Sequence, residues 1–472
     1  MPIIRLWPPT EIGNSMILSA KKAALRPDIG GDDLGRWQYG TERIATSGRL
    51  RLPLYLAFLA AALNQSNIVL GVNLSLADIT ALVALVVAAI DGRLWVPEKA
   101  LGFLLAVAAT STAAVLFFDP QWLSTPVPLR EVAAGQIKLA VAFAYFILGV
   151  NFTRSSQALP ILRIFAYAGS AVSILIFFPS LSELLGLYMG GFRFKGLMND
   201  PNYFAVLSIA ALAVVWRDTS RRRVLRIASS TVLISAVLLS GSKTGLIVLT
   251  ALATWRLLDH AGRERRSGIW STWRPVFVLL AVGMVAVVLS SAWQGAATRL
   301  TLSTQSNPAI QRVMPLLTDF GSAIRQDGSG RDDTWTNALT VIQMSPIVGV
   351  GAGAYEDIDS AVNGSVLVAH NTYLQIAAEW GLPLAALFLL WVLITLLRKP
   401  VDDRQFRTWR TARDVCVVLL VGSFSVSLNN ARVLWMVLGI LAAVLDPSWR
   451  HVGSGHRRQL HADSAETAVR PE

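Results

Sequence analysis

The sequence predicts an all-α, polytopic membrane protein with about twelve transmembrane helices and a helical loop on the outer side. Three observations carry that fold class. Of 472 residues, 53% are apolar and only 15% are charged, against roughly 25% charged in soluble globular chains. Mean hydropathy is +0.51, and the apolar residues are gathered into runs near the roughly 20 residues a helix needs to cross a bilayer. The net charge of +12 is carried mostly by arginines placed between those runs, as the positive-inside rule requires, which argues against nucleic acid as a partner.

Twelve runs are long and apolar enough to consider. The first six are Leu54 to Val72, Leu74 to Ile90, Ala100 to Phe118, Val132 to Val150, Ala158 to Phe178 and Pro201 to Trp216. The second six are Val224 to Ser240, Ser242 to Leu258, Pro275 to Trp293, Trp380 to Leu397, Asp414 to Leu428 and Ala431 to Leu445. Basic connections at Arg217 to Arg226, Asp259 to Arg274 and Arg398 to Arg413, with the tail from Arg450, all fall inside when the chain starts in the cytoplasm. An odd span count would put some of them outside. The expected organisation is a cytoplasmic N-terminal tail (1–50), a transmembrane domain (51–450) and a cytoplasmic C-terminal tail (451–472). The first fifty residues lack the basic, apolar, small-residue order of a cleaved signal. One cysteine, Cys416, excludes an intrachain disulfide and offers no thiolate metal site.

Two outer loops are substantial, Pro179 to Asp200 and residues 294–379. The larger has eight acids, four arginines and no lysine, and its length exceeds that of a passive connector. Apolar residues at helical spacing (Trp335, Leu339, Ile342, then Tyr373 to Ala377) predict short helices within it.

Candidate chemistry lies on this side. Arg193 and Lys195 precede a helix start that Asn199 or Asp200 can cap, just before Asn202. Cations beside helix-terminal amides favour an anion such as a phosphate, and they equally suit lipid headgroups. Gly328-Ser329-Gly330-Arg331 lets backbone approach a ligand while Arg331 neutralises a phosphate; the plainer reading pairs Arg331 with Asp332 or Asp333. Gly349, Gly351 and Ala354 match a loose dinucleotide fingerprint, which the missing strand–helix–strand context and the absence of an acid about 20 residues later exclude. Lys243, in the turn Ser240 to Gly245, can contact an anionic headgroup, though the spacing is not that of a phosphate loop. His370 is the one histidine the topology leaves outside, and imidazole is the usual base near neutral pH; a solvated loop histidine is the alternative. Trp335, Tyr355 and Tyr373 are placed either to stack on sugar rings or to anchor the interface.

Together these elements resemble the O-antigen ligase and polymerase superfamily of bacterial envelope glycosyltransferases. The resemblance rests on Arg193 with Gly196, Pro201 and Asn202; on Ser329-Gly330-Arg331 with Trp335; on Pro346 with Gly349 and Gly351; and on His370-Asn371 with Tyr373, Leu374, Glu379 and Gly381. It implies a bacterial inner-membrane protein with both termini cytoplasmic and its active site facing the periplasm. The implied donor is a glycan on undecaprenyl diphosphate, and the acceptor a sugar hydroxyl on a growing glycan or on lipid A–core, with polymerisation slightly favoured. No metal and no other cofactor is implied. Polysaccharide export or chain-length proteins are candidate partners. The histidine matching His370 is the base, and arginines matching Arg193 and Arg331 hold the diphosphate. Lys195, Lys243, Asn202, Trp335, Tyr355, Asn371 and Tyr373 are the expected substrate contacts. The N-terminal tail and Lys195 beside Arg193 depart from the family pattern. A multispan transporter or flippase of lipid-linked oligosaccharide is the rival class; it needs charges at a central cavity, whereas Lys138, Arg163, Lys243 and Arg256 read as snorkelling near span ends.

Overall fold

A computed structural model describes residues 55–66, 75–92, 94–118, 129–264, 308–314, 331–365, 367–400 and 402–446. The expected tails 1–50 and 451–472, the ninth expected span, and outer-loop residues 294–307 and 315–330 lie outside these residues. Helix dominates. After a helical segment at 55–62 come α1 (Leu76–Ile90), α2 (Glu98–Ala113), α3 (Leu129–Arg154), α4 (Ala158–Ile174) and α5 (Pro179–Leu184). A two-stranded antiparallel hairpin, β1 (Tyr188–Met189) and β2 (Arg193–Phe194), precedes α6 (Pro201–Arg217). Then follow α7 (Arg223–Leu239), α8 (Lys243–Glu264), α9 (Pro308–Val313) and α10 (Arg331–Met344). The chain continues through α11 (Tyr355–Asn363), α12 (Thr372–Trp380), α13 (Leu382–Leu397), α14 (Phe406–Gly422) and α15 (Arg432–Leu445).

Three of these helical segments are long and apolar enough to cross a membrane: Glu98–Phe117, Leu129–Arg154 and Ala158–Phe177. Leu76–Ile90, Pro201–Arg217, Leu382–Leu397 and Arg432–Leu445 are apolar but shorter. The expectation of about twelve crossings is therefore met in part among the described residues. Outward apolar side chains such as Leu82, Ile90, Leu105 and Leu387 are more than half exposed, which suits contact with lipid and would be unfavourable in water.

α6 is apolar all round, and Phe204 to Val215 are buried without a break, so it forms the centre of the bundle. Its start is fixed locally: the Asp200 carboxylate accepts from the Asn202 and Tyr203 amides at 2.8 and 2.9 Å, and Pro201 occupies the first turn. α3 and α15 cross where two glycines meet the opposing backbone. A Cβ on Gly149 would stand 2.0 Å from the Met436 carbonyl oxygen, and one on Gly439 would stand 2.1 Å from that of Phe146. Small residues at such a crossing let helix backbones approach closely inside a membrane.

Two elements depart from the sequence reading: the helix that opens the first expected span, Leu54 to Val72, ends at residue 62 in a turn, and α14 is displaced. α14 begins at Phe406 and ends at Gly422, not over Asp414 to Leu428. Hydropathy rejects its first turns because they hold Arg407, Arg410 and Arg413. The structure absorbs these cations in the bundle end: Arg413 lies over the Trp255 and Trp409 rings and pairs with Asp259 at 3.6 Å. Buried Asp414 accepts from Arg217 at 2.6 Å, Arg256 at 3.2 Å and the Trp255 indole at 3.0 Å. Arg163 likewise pairs with Asp218 at 3.1 Å. Arg163 and Arg256 thus form ion pairs where snorkelling was expected. The lone Cys416 is fully buried on α14.

Candidate functional site

The loop ahead of α12 brings His370 to a cavity of about 380 Å³. His370 has φ +48, a left-handed conformation uncommon outside glycine, although His adopts it more readily than most residues. The next residue starts the helix: Asn371 Oδ1 accepts from the Tyr373 and Leu374 amides at 3.0 and 3.2 Å. The first turn is then pinned to the 423–428 turn. The Thr372 amide donates to the Ser423 carbonyl at 2.8 Å, its hydroxyl donates to the Val426 carbonyl at 2.8 Å, and it accepts from the Leu428 amide at 2.7 Å.

The far end of α12 is held just as firmly by the glycine-rich loop. Val350 and Gly351 amides donate to the carbonyls of Ala378 and Glu379 at 2.8 and 3.0 Å, satisfying acceptors the helix end leaves open. The approach demands glycine: at Gly349, with φ +72, a Cβ would stand 2.5 Å from the Glu379 carbonyl oxygen. The Gly349–Gly353 motif is thus a docking surface for a helix end.

One face of α12, read through Asn371, Gln375 and Glu379 at intervals of four, runs down from His370, and His370, Gln375 and Glu379 all line the cavity. Lys138 on α3, Arg432 at the start of α15, and Trp380 and Trp435 complete the wall. Arg432 is held by a bidentate pair with Asp78 at 2.7 and 2.6 Å, and the Tyr145 hydroxyl donates to the same carboxylate at 3.0 Å. Burial pushes the Glu379 carboxyl up to about 7, partly opposed by the hydrogen bond from Gln375 and the charge of Lys138. An apolar pocket of about 410 Å³, lined by Phe103, Phe143, Phe388 and Trp391 among others, shares Leu139, Trp380 and Trp435 with the polar cavity.

The other sequence-derived candidates fall in several places. Arg193 donates from Nε to the Ser240 carbonyl at 3.1 Å and from its terminal nitrogen to Asn202 Oδ1 at 3.0 Å. That joins the hairpin, the start of α6 and the turn before Lys243 beside a cavity edge formed by Asn199, Asp200 and Tyr203. Lys195 follows on the same hairpin, half-buried. Arg331 opens α10, which packs on α12, but its side chain lies outside the described part. Trp335 is half-buried on α10. Asn371 and Tyr373 serve structure: Asn371 caps, while the Tyr373 hydroxyl donates to the Leu420 carbonyl at 2.7 Å and its ring packs on Phe424. Burial raises both the Tyr373 and Tyr355 phenols, and Tyr355, 1% exposed, sits in the core without a free face for a sugar.

Sequence reasoning missed Lys138, Gln375, Arg432, Trp435 and the 423–430 turn. Lys138 and Arg432 carried a readable signal, a charge inside an apolar run.

Residues 228–389 match the family model described as O-antigen ligase. The chain carries an O-antigen ligase domain. That match, over about a third of the chain, supports the resemblance to the O-antigen ligase and polymerase superfamily. The ligase-family match covers His370, Gln375, Glu379, Lys243 and the glycine loop; Arg193, Lys138 and Arg432 lie outside it. No curated protein matches the chain.

Proposed function

We propose that the protein moves a glycan from undecaprenyl diphosphate to a sugar hydroxyl, in O-antigen or exopolysaccharide assembly, with chain polymerisation favoured over transfer to lipid A–core. The observation that carries this reading is the contact between the polar cavity at His370 and the aromatic-lined apolar pocket, which share three residues. A lipid-linked diphosphate sugar has one part for each. Its polyprenyl tail suits Phe103, Phe143 and Phe388, and its glycan suits the polar cavity.

A sugar hydroxyl attacks poorly unless its proton is removed as the bond forms. His370 at the cavity wall is the candidate base, worth about 10²–10⁴ in rate. The leaving diphosphate gains charge, and preorganised cations stabilise it. Arg193 and Arg331 are assigned that role, with Lys195 and Lys243 beside the first. Energy comes from the diphosphate bond, so the reading needs neither nucleotide nor metal. Contacts to chain-length or export proteins belong to this proposal as well.

One observation favours a second reading. Lys138, Arg432 and Glu379 line a cavity within the helical bundle, with Asp78 paired to Arg432, and charges so placed also suit a carrier of lipid-linked oligosaccharide. Purified protein incubated with a defined undecaprenyl-diphosphate oligosaccharide, with and without lipid A–core, separates the two. A longer lipid-linked chain means polymerase and a lipid A conjugate means ligase. Unchanged substrate in the presence of net transbilayer movement in vesicles would remove the transferase reading.

A further inference from the structure

The lower part of the α12 face carries an arrangement the transfer chemistry does not use. Gln375 and Glu379 are each 5% exposed, stand one helical turn apart and both line the cavity. Gln375 Nε2 donates to Glu379 Oε1 at 3.0 Å, which fixes the amide and turns its oxygen away from the carboxylate. That oxygen is buried and has no donor among the described residues. An unpartnered buried acceptor is unfavourable by about 1–3 kcal/mol unless a ligand supplies the missing donor. The corner therefore offers acceptors from both residues, and Trp380 and Trp435 form the adjoining apolar wall. Such acceptors suit a neutral molecule rich in hydroxyl donors with an apolar face.

We propose that Gln375 and Glu379 form a hydroxyl-recognition subsite that holds a sugar ring against Trp380 and Trp435, deeper in the cavity than His370. The subsite rests on the glycan-transfer reading but is separate from the diphosphate cations. At 1.5 Å per residue, Glu379 lies about 12 Å along the helix from Asn371. It is thus a positioning and specificity group, set well away from the His370 imidazole. A site built to accept from a hydroxyl also rejects analogues lacking it, because its own polar groups are then left unpaired.

The test uses purified full-length protein in detergent and saturation-transfer NMR with methyl α-glucoside, methyl α-galactoside and methyl α-mannoside, with inorganic pyrophosphate as a second probe. At least one hexoside binds the native protein saturably. Gln375→Leu and the isosteric Glu379→Gln each weaken it about tenfold, while pyrophosphate binding and the melting temperature at pH 5, where the raised Glu379 carboxyl is protonated, stay as in the native protein. Those two unchanged readouts separate lost recognition from lost folding. The same hexoside inhibits glycan transfer competitively against either donor or acceptor, which identifies the glycan held there. The subsite is refuted if no hexoside binds the native protein, if both variants bind it unchanged, or if inhibition competes with neither substrate. Hexoside binding that survives when no glycan is transferred would sink the transferase reading and leave the subsite standing.

Discussion

His370 combines a backbone conformation that opposes its own side chain with a place on a cavity wall. Non-glycine residues held in the left-handed region cost on the order of 1–3 kcal/mol and persist where function requires them. Two variants separate the roles. His370→Ala removes the imidazole and lowers transfer by about 10²–10⁴. His370→Gly does the same to activity yet leaves the melting temperature unchanged or higher, because glycine is at ease at φ +48. A large fall in melting temperature for His370→Gly would assign the residue to folding instead. Glu379 gives a pH signature. Its carboxyl is raised from 4.5 to about 7 in the folded protein, so the folded state holds the proton more tightly than the unfolded chain. The resulting stabilisation is complete below about 4.5 and is lost as pH rises through about 7. Thermal unfolding at pH 5 and pH 8 should differ more for the native protein than for Glu379→Gln; equal differences would contradict the shift. The place of His370 ahead of an outer-loop helix was legible from the sequence because helical spacing is local, whereas Asn371, expected as a substrate contact, was not read as the cap it supplies. Lys138 and Arg432 showed as charges inside apolar runs, but their place at the cavity was not legible, since it depends on partners such as Asp78 brought from far along the chain.

At the level of helices, position is set by a few contacts that tolerate no substitution. Gly149→Leu or Gly439→Leu forces α3 and α15 apart and should open the cavity wall, with loss of both stability and transfer measured on one preparation. Asp414→Ala acts at the opposite pole of the bundle. It leaves Arg217 and Arg256 without their shared buried carboxylate, a change worth about 3–5 kcal/mol. Near-native unfolding of Asp414→Ala would mean the cluster is solvated in the membrane-bound protein. The sequence located most of these helices because apolar runs of about 15–20 residues announce themselves. It misplaced α14 for a physical reason: a hydropathy window cannot know that Arg407 will meet the Thr219 hydroxyl, Arg410 the Phe406 ring, and Arg413 two indoles and Asp259. It also ran the expected span through residues 423–428, which turn in the structure and carry Ser427 of the cavity.

For the molecule as a whole, the arginine-rich connections are expected to orient the chain, and with it the side on which the proposed chemistry happens. An alkaline phosphatase fused after Asn363 should be active, since α11 belongs to the expected outer loop, and one fused after Arg404 should be silent. The reverse pattern would place His370 in the cytoplasm, away from any periplasmic acceptor. The membrane character and the family were legible because both are written in short runs and motifs. The joined polar and apolar cavities were not, because α3, α12, α13 and α15 are separated by long stretches of chain and meet only in the fold.

Cys416, the sole thiol in the sequence, is sealed inside α14. The wild-type chain is therefore already a silent background for alkylating reagents. Two engineered surface cysteines, one on α10 and one near α12, would take paired spin labels without first replacing the native thiol. Pulsed dipolar spectroscopy on such a pair would report the separation of these two helices before and after a lipid-linked sugar is added.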